Sequence, residues 1–266
     1  MIYQCTEKDR SRILDYIAKE PEMNLFIFGD IENFGVAKDP VWIRILTNPD
    51  GSWNALLLQF FDNFVLYSQN ADYDAAAAAE FLKQQNPSCI SGKLELLKPL
   101  APYFPDKDLE PTYMSRCNKV NPDAVHPLPT DVTVREMTPP DFKELSELLC
   151  KIEEFAKTYT NPEKSKKEKL INYEHGSHTY GVYRNGKLLA TAATTADNSQ
   201  SAMIVSVATL PGERGHGFAT AAVAKLCANC FASGMHFLCL FYDNPAAGRI
   251  YRRIGFEELG QYAMLH

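Results

Sequence analysis

Hydrophobic and polar positions in the second half of the chain follow two periods, and each change of period marks an element. "VTVREM" (132–137) alternates every second residue, as a half-buried strand does. "TPPDFKELSELLCKIEEF" (138–155) then repeats its apolar residues every three or four positions, as a helix does. Thr138 ahead of two prolines is a fitting start for it. "HTYGVYRNGKLLATAATTAD" (178–197) returns to the strand period, and Asn185-Gly186 in its middle predicts a type I′ hairpin. "SAMIVSVATL" (201–210) is a strand long enough to be central. "ATAAVAKLCANCFASG" (219–234) is a helix with Val223, Leu226, Cys227, Cys230 and Phe231 on one face and Gly234 as its stop. "MHFLCLFY" is a buried strand, "NPAAGRIYRRIGF" a short helix and "EELGQYAML" a final strand. "SKKEK" (165–169) reads as a solvated charge run.

The first half has a related order. A helix over Glu7–Lys19 follows Thr6, a plausible N-cap. "VWIRILTN" and "NALLLQFF" flank the turn "PDGSW", and "NFVLYSQ" is a third strand. "ADYDAAAAAEFLKQQ" is a helix on propensity alone. "SCISG", "LELLKPLAPYF" and "PTYMSRCNKV" read as strand, helix and strand. Pro122, Pro127 and Pro129 within Asn118–Thr133 break any helix there, so the segment reads as an extended linker. The expected domains are therefore 1–125 and 126–266. The second half reads β-α-β-β-β-α-β-α-β and the first roughly α-β-β-β-α-β-α-β. The fold class is α/β, with an α+β type of mixed sheet. The likeness of the two orders raises an internal duplication, although no run of sequence repeats.

Composition narrows the classes. At 266 residues and a net charge of −6, the chain has no basic footprint for nucleic acid. No apolar run approaches the ~20 residues of a membrane span. "MIYQCTEKDRSRILDYIAKE" lacks the basic start and apolar core of a signal peptide. The seven cysteines are scattered and odd in number, which points to reduced thiols and a cytoplasmic setting. Cys227 and Cys230 lie on the apolar helix face, and no second pair follows at zinc-site spacing, so they are assigned to the core. Tyr180 and Tyr183 are assigned to sheet packing.

The chemistry sits in "VATLPGERGHGFATAAVAKLC" (207–227). Gly212, Gly215 and Gly217 lie between a strand and a helix, where a glycine loop lets backbone N–H groups converge on an anion at the helix N-terminus. Arg214 can add a charge-assisted bond to a phosphate, and a side chain at Gly217 would intrude on it. The loop has no Lys-Ser/Thr and no GxGxxG, which excludes a Walker A loop and a dinucleotide fingerprint. Glu213 is expected to point to water and His216 to be exposed above the anion. A second junction, "DNPAAGRIYRRIGF", places Asn244 at an N-cap and Pro245 at the first helical position. Ala247 and Tyr251 then share one face.

In combination these motifs resemble the GNAT superfamily of acyl-CoA-dependent N-acyltransferases over about residues 131–266. The first half carries no such motif: its "YSQNADYDAA" loop lacks the glycines, and it is expected to be a degenerate GNAT-like domain that does not bind the cofactor. The resemblance implies acetyl-CoA, or another acyl-CoA, as donor. Backbone N–H groups of Gly215, His216, Gly217, Phe218, Ala219 and Thr220, with Arg214, would hold the pyrophosphate. Val207, Ala208 and Thr209 would bond the pantetheine arm, with Asn244 and Ala247 beside it. Tyr251 would be the general acid for the leaving thiolate.

The resemblance also leads one to look for a glutamate on the strand before the loop. "SAMIVSVATL" has no acid; Ser206 is its interior polar residue, and serine is a poor base. Glu154, Glu174, His178, Asp197 or a water relay remain as candidates. The expected acceptor is a small-molecule amine or a protein amino group, with neither nucleic acid nor membrane as partner and a homodimer as one assembly. The competing readings are a non-catalytic acyl-CoA-binding or regulatory protein and a structural scaffold.

Overall fold

The computed structural model describes residues 1–155 and 159–266. The chain divides into two compact units, Met1–Met114 with Leu259–His266, and Ser115–Glu258. This differs from the boundary expected near residue 125. The proline-rich segment is not the wholly extended linker expected: Pro122–Ala124 form a single 3-10 turn, and the segment is not free. Ala124 is buried, and Val120 and Leu128 pack on the core of the second unit, because proline blocks a helix without preventing burial.

In the first unit β1 (Ile2–Gln4) is followed by α1 (Arg10–Ile17) and α2 (Leu25–Phe34), then β2 (Ala37–Lys38), β3 (Val41–Thr47), β4 (Trp53–Phe60) and β5 (Asn63–Tyr67). α3 (Ala75–Gln85), β6 (Cys89–Lys93), α4 (Leu94–Leu100) and β7 (Leu109–Cys117) complete it. β1, β3, β4 and β5 pair antiparallel, and β5 pairs parallel with β6 as far as Leu66↔Gly92. The C-terminal strand β13 (Glu257–Leu265) returns to pair antiparallel with β6, with Tyr262 opposite Lys93. α2 was not anticipated. Its apolar residues Leu25, Ile27 and Ile31 are nearly all-round in sequence, which obscures the helical period.

In the second unit β8 (Val132–Glu136) leads to α5 (Phe142–Leu149) and α6 (Pro162–Glu174), then β9 (Thr179–Arg184), β10 (Lys187–Thr195) and β11 (Ser201–Thr209). α7 (Phe218–Ala232), β12 (Phe237–Tyr242) and α8 (Pro245–Ile254) follow. β8–β11 pair antiparallel in sequence order, and β11 pairs parallel with β12. The β9–β10 turn has φ of 51° at Asn185 and 77° at Gly186, the double left-handed signature of type I′. One sheet face carries α7, whose Phe218, Val223, Leu226, Cys227 and Cys230 join Val182, Leu189 and Ile204 in the core. The other carries α5, where Phe142, Leu145 and Leu149 meet Tyr183, Leu188 and Ala208. The alternation of Val182 with Tyr183, and of Leu189 with Leu188, is what feeds both layers.

The charge run "SKKEK" lies inside α6, which Asn161 caps by accepting from Glu163 and Lys164 N–H, with Pro162 at its first position. The run is not wholly solvated: Ser165 and Lys169, one turn apart, are buried. The first unit thus runs β-α-α-β-β-β-β-α-β-α-β, with the two-residue β2 as an extra strand, and the second runs β-α-α-β-β-β-α-β-α before the chain returns as β13.

Candidate active site

The cleft of the second unit begins where β11 and β12 part. Their parallel pairing runs from Ser201↔Phe237 to Ile204↔Leu240 and stops there. The cause lies in β11. Its register against β10 shifts between Ala193↔Val205 and Thr191↔Ala208, and Ser206 sits at a φ of 56°. This is a β-bulge, which bends the bulged strand and leaves backbone groups unpaired. A cleft of about 880 Å3 opens between the ends of the two strands. Val205–Thr209 form one wall, Phe241–Asn244 the other, and the loop from Glu213 to Thr220 lies at its mouth.

The glycine loop has the backbone conformation that an anion cradle needs. Gly215 and Gly217 have φ of 83° and 79°, and Gly217 is the left-handed residue that starts α7. A Cβ at either would meet no other atom within 4 Å. Glycine is therefore required by backbone conformation, and the space beyond it is open. No side chain caps α7, so the N–H groups of Phe218, Ala219 and Thr220 at its first turn face out of the helix without an intrahelical acceptor.

The loop's charged neighbours are not placed as the sequence implied. Arg214 is held by Glu154 through two contacts of 2.9 Å, and its Nε donates to the Thr209 carbonyl at 3.4 Å. Glu213 does not point to water alone; it pairs with Arg184 at 3.4 Å. His216 is exposed, as anticipated, with its ring stacked on Phe218 at 5.7 Å and Nδ1 3.2 Å from the Glu213 carbonyl.

At the second junction the Asn244 side chain accepts from Ala246 N–H at 2.8 Å and caps α8. Ala247 and Tyr251, one turn apart, both line the cleft. Tyr251 is 7% exposed and lies between the rings of Tyr242 and Phe256, each 5.9 Å away. Its hydroxyl has no hydrogen-bond partner among the described residues, and burial pushes its pKa up to about 12. A phenol so placed keeps its proton at neutral pH. Gly248 lets α8 approach, because a Cβ there would stand 2.4 Å from the Tyr242 ring.

Every cofactor-side residue singled out from sequence, from Val207 to Ala247, lines this one cleft together with Tyr251. The candidate bases do not gather there. Glu174 is exposed at the end of α6. His178 Nδ1 contacts Glu136 at 2.6 Å. Asp197 accepts from Ser177 and Thr194 hydroxyls, each at 2.7 Å, and burial raises its pKa. None of these three lines the cleft. Glu154 does, but the Arg214 hydrogen bond lowers its pKa and so weakens it as a base. Sequence reasoning missed Tyr159 and Lys169. Tyr159 lines the cleft, and its hydroxyl is 2.8 Å from the Ser206 hydroxyl. Lys169 Nζ donates to the same Ser206 oxygen at 2.7 Å.

In the first unit the loop between β5 and α3 takes another course. Tyr73 is buried there and donates to the Leu96 carbonyl of α4 at 2.8 Å. α4 begins directly after β6, and Tyr73 packs with Leu94, Leu96 and Leu97 of α4 in the core of this unit.

A strand that parts from its parallel neighbour at a bulge, followed by a glycine loop and a helix N-terminus, is the arrangement that the resemblance drawn from the sequence leads one to expect. Residues 144–256 match the family model described as Acetyltransferase (GNAT) family. No curated protein matches the chain. Among solved structures it is similar to a GCN5-related N-acetyltransferase from Sphaerobacter thermophilus. There the identity is 15% and the TM-score 0.68, over 100% of this chain and 94% of that one. A tandem GNAT protein from the clavulanic acid biosynthesis pathway, solved without AcCoA, matches at 12% identity and TM-score 0.62. That match covers 100% of this chain and 97% of the other. A Drosophila protein matches at 12% identity and TM-score 0.69, over 99% and 97% of the two chains. At these identities the likeness is one of fold, and it extends to the first unit, which is GNAT-like as well. No helix among the described residues is long and apolar enough to cross a membrane.

Proposed function

We propose that the protein is an N-acyltransferase that moves an acetyl or other acyl group from acyl-CoA to an amine by direct attack in a ternary complex. The observation that carries this reading is the convergence of three features on one cleft: the parted strands, the uncapped α7 N-terminus with its two left-handed glycines, and the unpartnered Tyr251 phenol. The fit to the donor is chemical. Diphosphate suits N–H groups at a helix N-terminus, and an amide-bearing arm suits a strand edge whose pairing has ended.

Acyl-CoA supplies the acyl group as a thioester, already activated toward an amine. The residues of this chain do the rest. The N–H groups from Gly215 to Thr220 hold the phosphates. The free edge at Val207–Thr209 orients the pantetheine arm and supplies hydrogen bonds to the carbonyl that gains charge, which is transition-state stabilisation. Asn244 and Ala247 border the arm from the other wall. Tyr251 keeps a proton available for the departing sulfur.

Thermal unfolding with and without acetyl-CoA tests the reading, with the wild type compared to Gly217→Trp. A ligand that binds only the folded state stabilises it by ~2.7 kcal/mol at a hundredfold excess over Kd. The wild-type midpoint rises and the variant's does not. An unchanged wild-type midpoint with acetyl-CoA and with longer acyl-CoAs removes the reading.

A further inference from the structure

The acyltransferase reading leaves the acceptor's proton without a destination, because β11 carries no acid and Glu154 is engaged by Arg214. The face of β11 toward α6 holds a group that the mechanism has not used. Ser206 sits on the bulge, 6% exposed, with its side chain toward α6. Lys169, 7% exposed on α6, donates to Ser206 Oγ at 2.7 Å and lies 3.4 Å from the Tyr159 hydroxyl. Tyr159 Oη is 2.8 Å from Ser206 Oγ, which closes a triangle of three polar atoms, and the Lys169 nitrogen also lies 5.3 Å from the Tyr159 ring centre.

Two features separate this triangle from an ordinary packing contact. Among the described residues no carboxylate pairs with Lys169, although a buried ammonium ordinarily has one. The backbone at Ser206 is held at a left-handed φ that a non-glycine residue adopts at a cost, and such positions cluster at functional sites. Ser206 and Tyr159 line the cleft, and Lys169 stands behind them. The order from cleft to interior is hydroxyl, then amine, which is that of a relay.

We propose that Ser206, Tyr159 and Lys169 form the proton-accepting relay for the acceptor amine, in the place where a carboxylate would otherwise serve. The inference rests on the acyltransferase reading. As the amine nitrogen bonds the acyl carbon and the carbon–sulfur bond breaks, the nitrogen's proton passes to Ser206 Oγ. The proton of Ser206 passes in turn to the Lys169 amine, and the Tyr159 hydroxyl holds the serine oxygen in line. Tyr251 protonates the sulfur. Lys169 then returns its proton to solvent and Tyr251 regains one, so the cycle closes with no net proton gained by the protein. A proton-accepting role of this kind requires the neutral amine form of Lys169, and the relay therefore predicts a limb of turnover that rises with pH.

The groups bearing on Lys169 are the Tyr159 and Ser206 hydroxyls. On its own helix, Ser165 and Tyr173 share its face one turn to either side. On α5, which packs on α6, Lys143 and Glu147 are exposed, and Glu144 accepts from the Leu188 N–H at 2.9 Å.

The test uses the full chain with acetyl-CoA and a panel of small primary amines from about pH 6 to about pH 10. Wild type is compared with Lys169→Met, Ser206→Gly and Tyr159→Phe. Ser206→Gly removes the hydroxyl without forcing a side chain into the left-handed region, so it keeps the test open if Lys169→Met does not fold. Lys169→Met and Ser206→Gly are expected to lower kcat by about a hundredfold or more near neutrality, the usual contribution of a general base. Their loss of the rising pH limb and an unchanged stabilisation by acetyl-CoA are expected as well. Tyr159→Phe is expected to show a smaller loss on the same limb. In the free wild-type protein, NMR of the lysine Cε signal absent from Lys169→Met should titrate with the limb of kcat/KM. Variants that keep the wild-type kcat and pH profile, or a Lys169 signal that titrates elsewhere, overturn the relay and leave the acyltransferase reading standing. Acetyl-CoA binding without turnover of any amine in the wild type removes both.

Discussion

Arg214, in the glycine loop before α7, is clamped by Glu154 in a two-pronged ion pair of 2.9 Å contacts. The pair joins the segment after α5 to the N-terminal approach of α7. It occupies the guanidinium that a phosphate would otherwise attract. Glu154→Gln is therefore expected to tighten acetyl-CoA binding, measured by calorimetry at fixed salt. The gain should stay within about fivefold, because exposed pairs contribute only ~0–1 kcal/mol. Weaker binding in Glu154→Gln would mean that Glu154 orients Arg214 for the ligand.

Tyr251→Phe separates binding from chemistry. The hydroxyl has no partner among the described residues, so its loss should leave folding and acetyl-CoA affinity nearly unchanged. If the phenol protonates the leaving thiolate, kcat falls by about 10²–10⁴-fold. An unaltered kcat would assign the ring to packing against Tyr242 and Phe256.

The same residue sets an alkaline limb of stability. Burial raises its folded pKa to about 12, above the ~10 of an unfolded tyrosine. The stabilising difference is complete below about pH 10 and is lost as pH rises toward 12. Denaturant midpoints measured across this window should fall less steeply for Tyr251→Phe than for the wild type.

At the start of α5 the sign is reversed. Asp141 accepts from Thr138 N–H at 2.8 Å and binds Arg135 at 2.7 and 2.8 Å, which holds its carboxyl at about 2. Its contribution is present above about pH 4 and is lost as pH falls toward 2. Asp141→Ala should cost about 1–2 kcal/mol near neutrality, as loss of an N-terminal cap does, and flatten the acid limb of unfolding.

Gly248→Ala tests the α8 packing. The new Cβ would stand 2.4 Å from a ring atom of Tyr242, so either the ring or the helix must shift. Overpacking of this kind costs about 1–3 kcal/mol and should lower the melting temperature. A stability equal to wild type would mean that Tyr242 moves freely.

Much of the fold and the donor side of the site follow from local chemistry. Asn185-Gly186 needs left-handed φ values and so declares its hairpin. Asn244-Pro245 declares the start of α8, and Gly215 and Gly217 the loop before α7. Each of these signals is a backbone preference of the residue itself, readable without neighbours. The positions from Val207 to Tyr251 could be named for the same reason.

What only the tertiary structure decided concerns partners distant in sequence. Lys169 stands in a charge run, and its burial depends on β11 lying beneath α6; the period of the run contains no trace of that. Arg214 is drawn to Glu154, 60 positions away, rather than left open toward the cleft. The return of β13 to pair with β6, and the resulting boundary at Met114–Ser115, depends on strand partners that no local pattern specifies. Sequence determines conformational preference residue by residue. Burial, register and ion-pair choice are settled by competition among all surfaces at once, and the side of this cleft built by Ser206, Tyr159 and Lys169 is made of such choices.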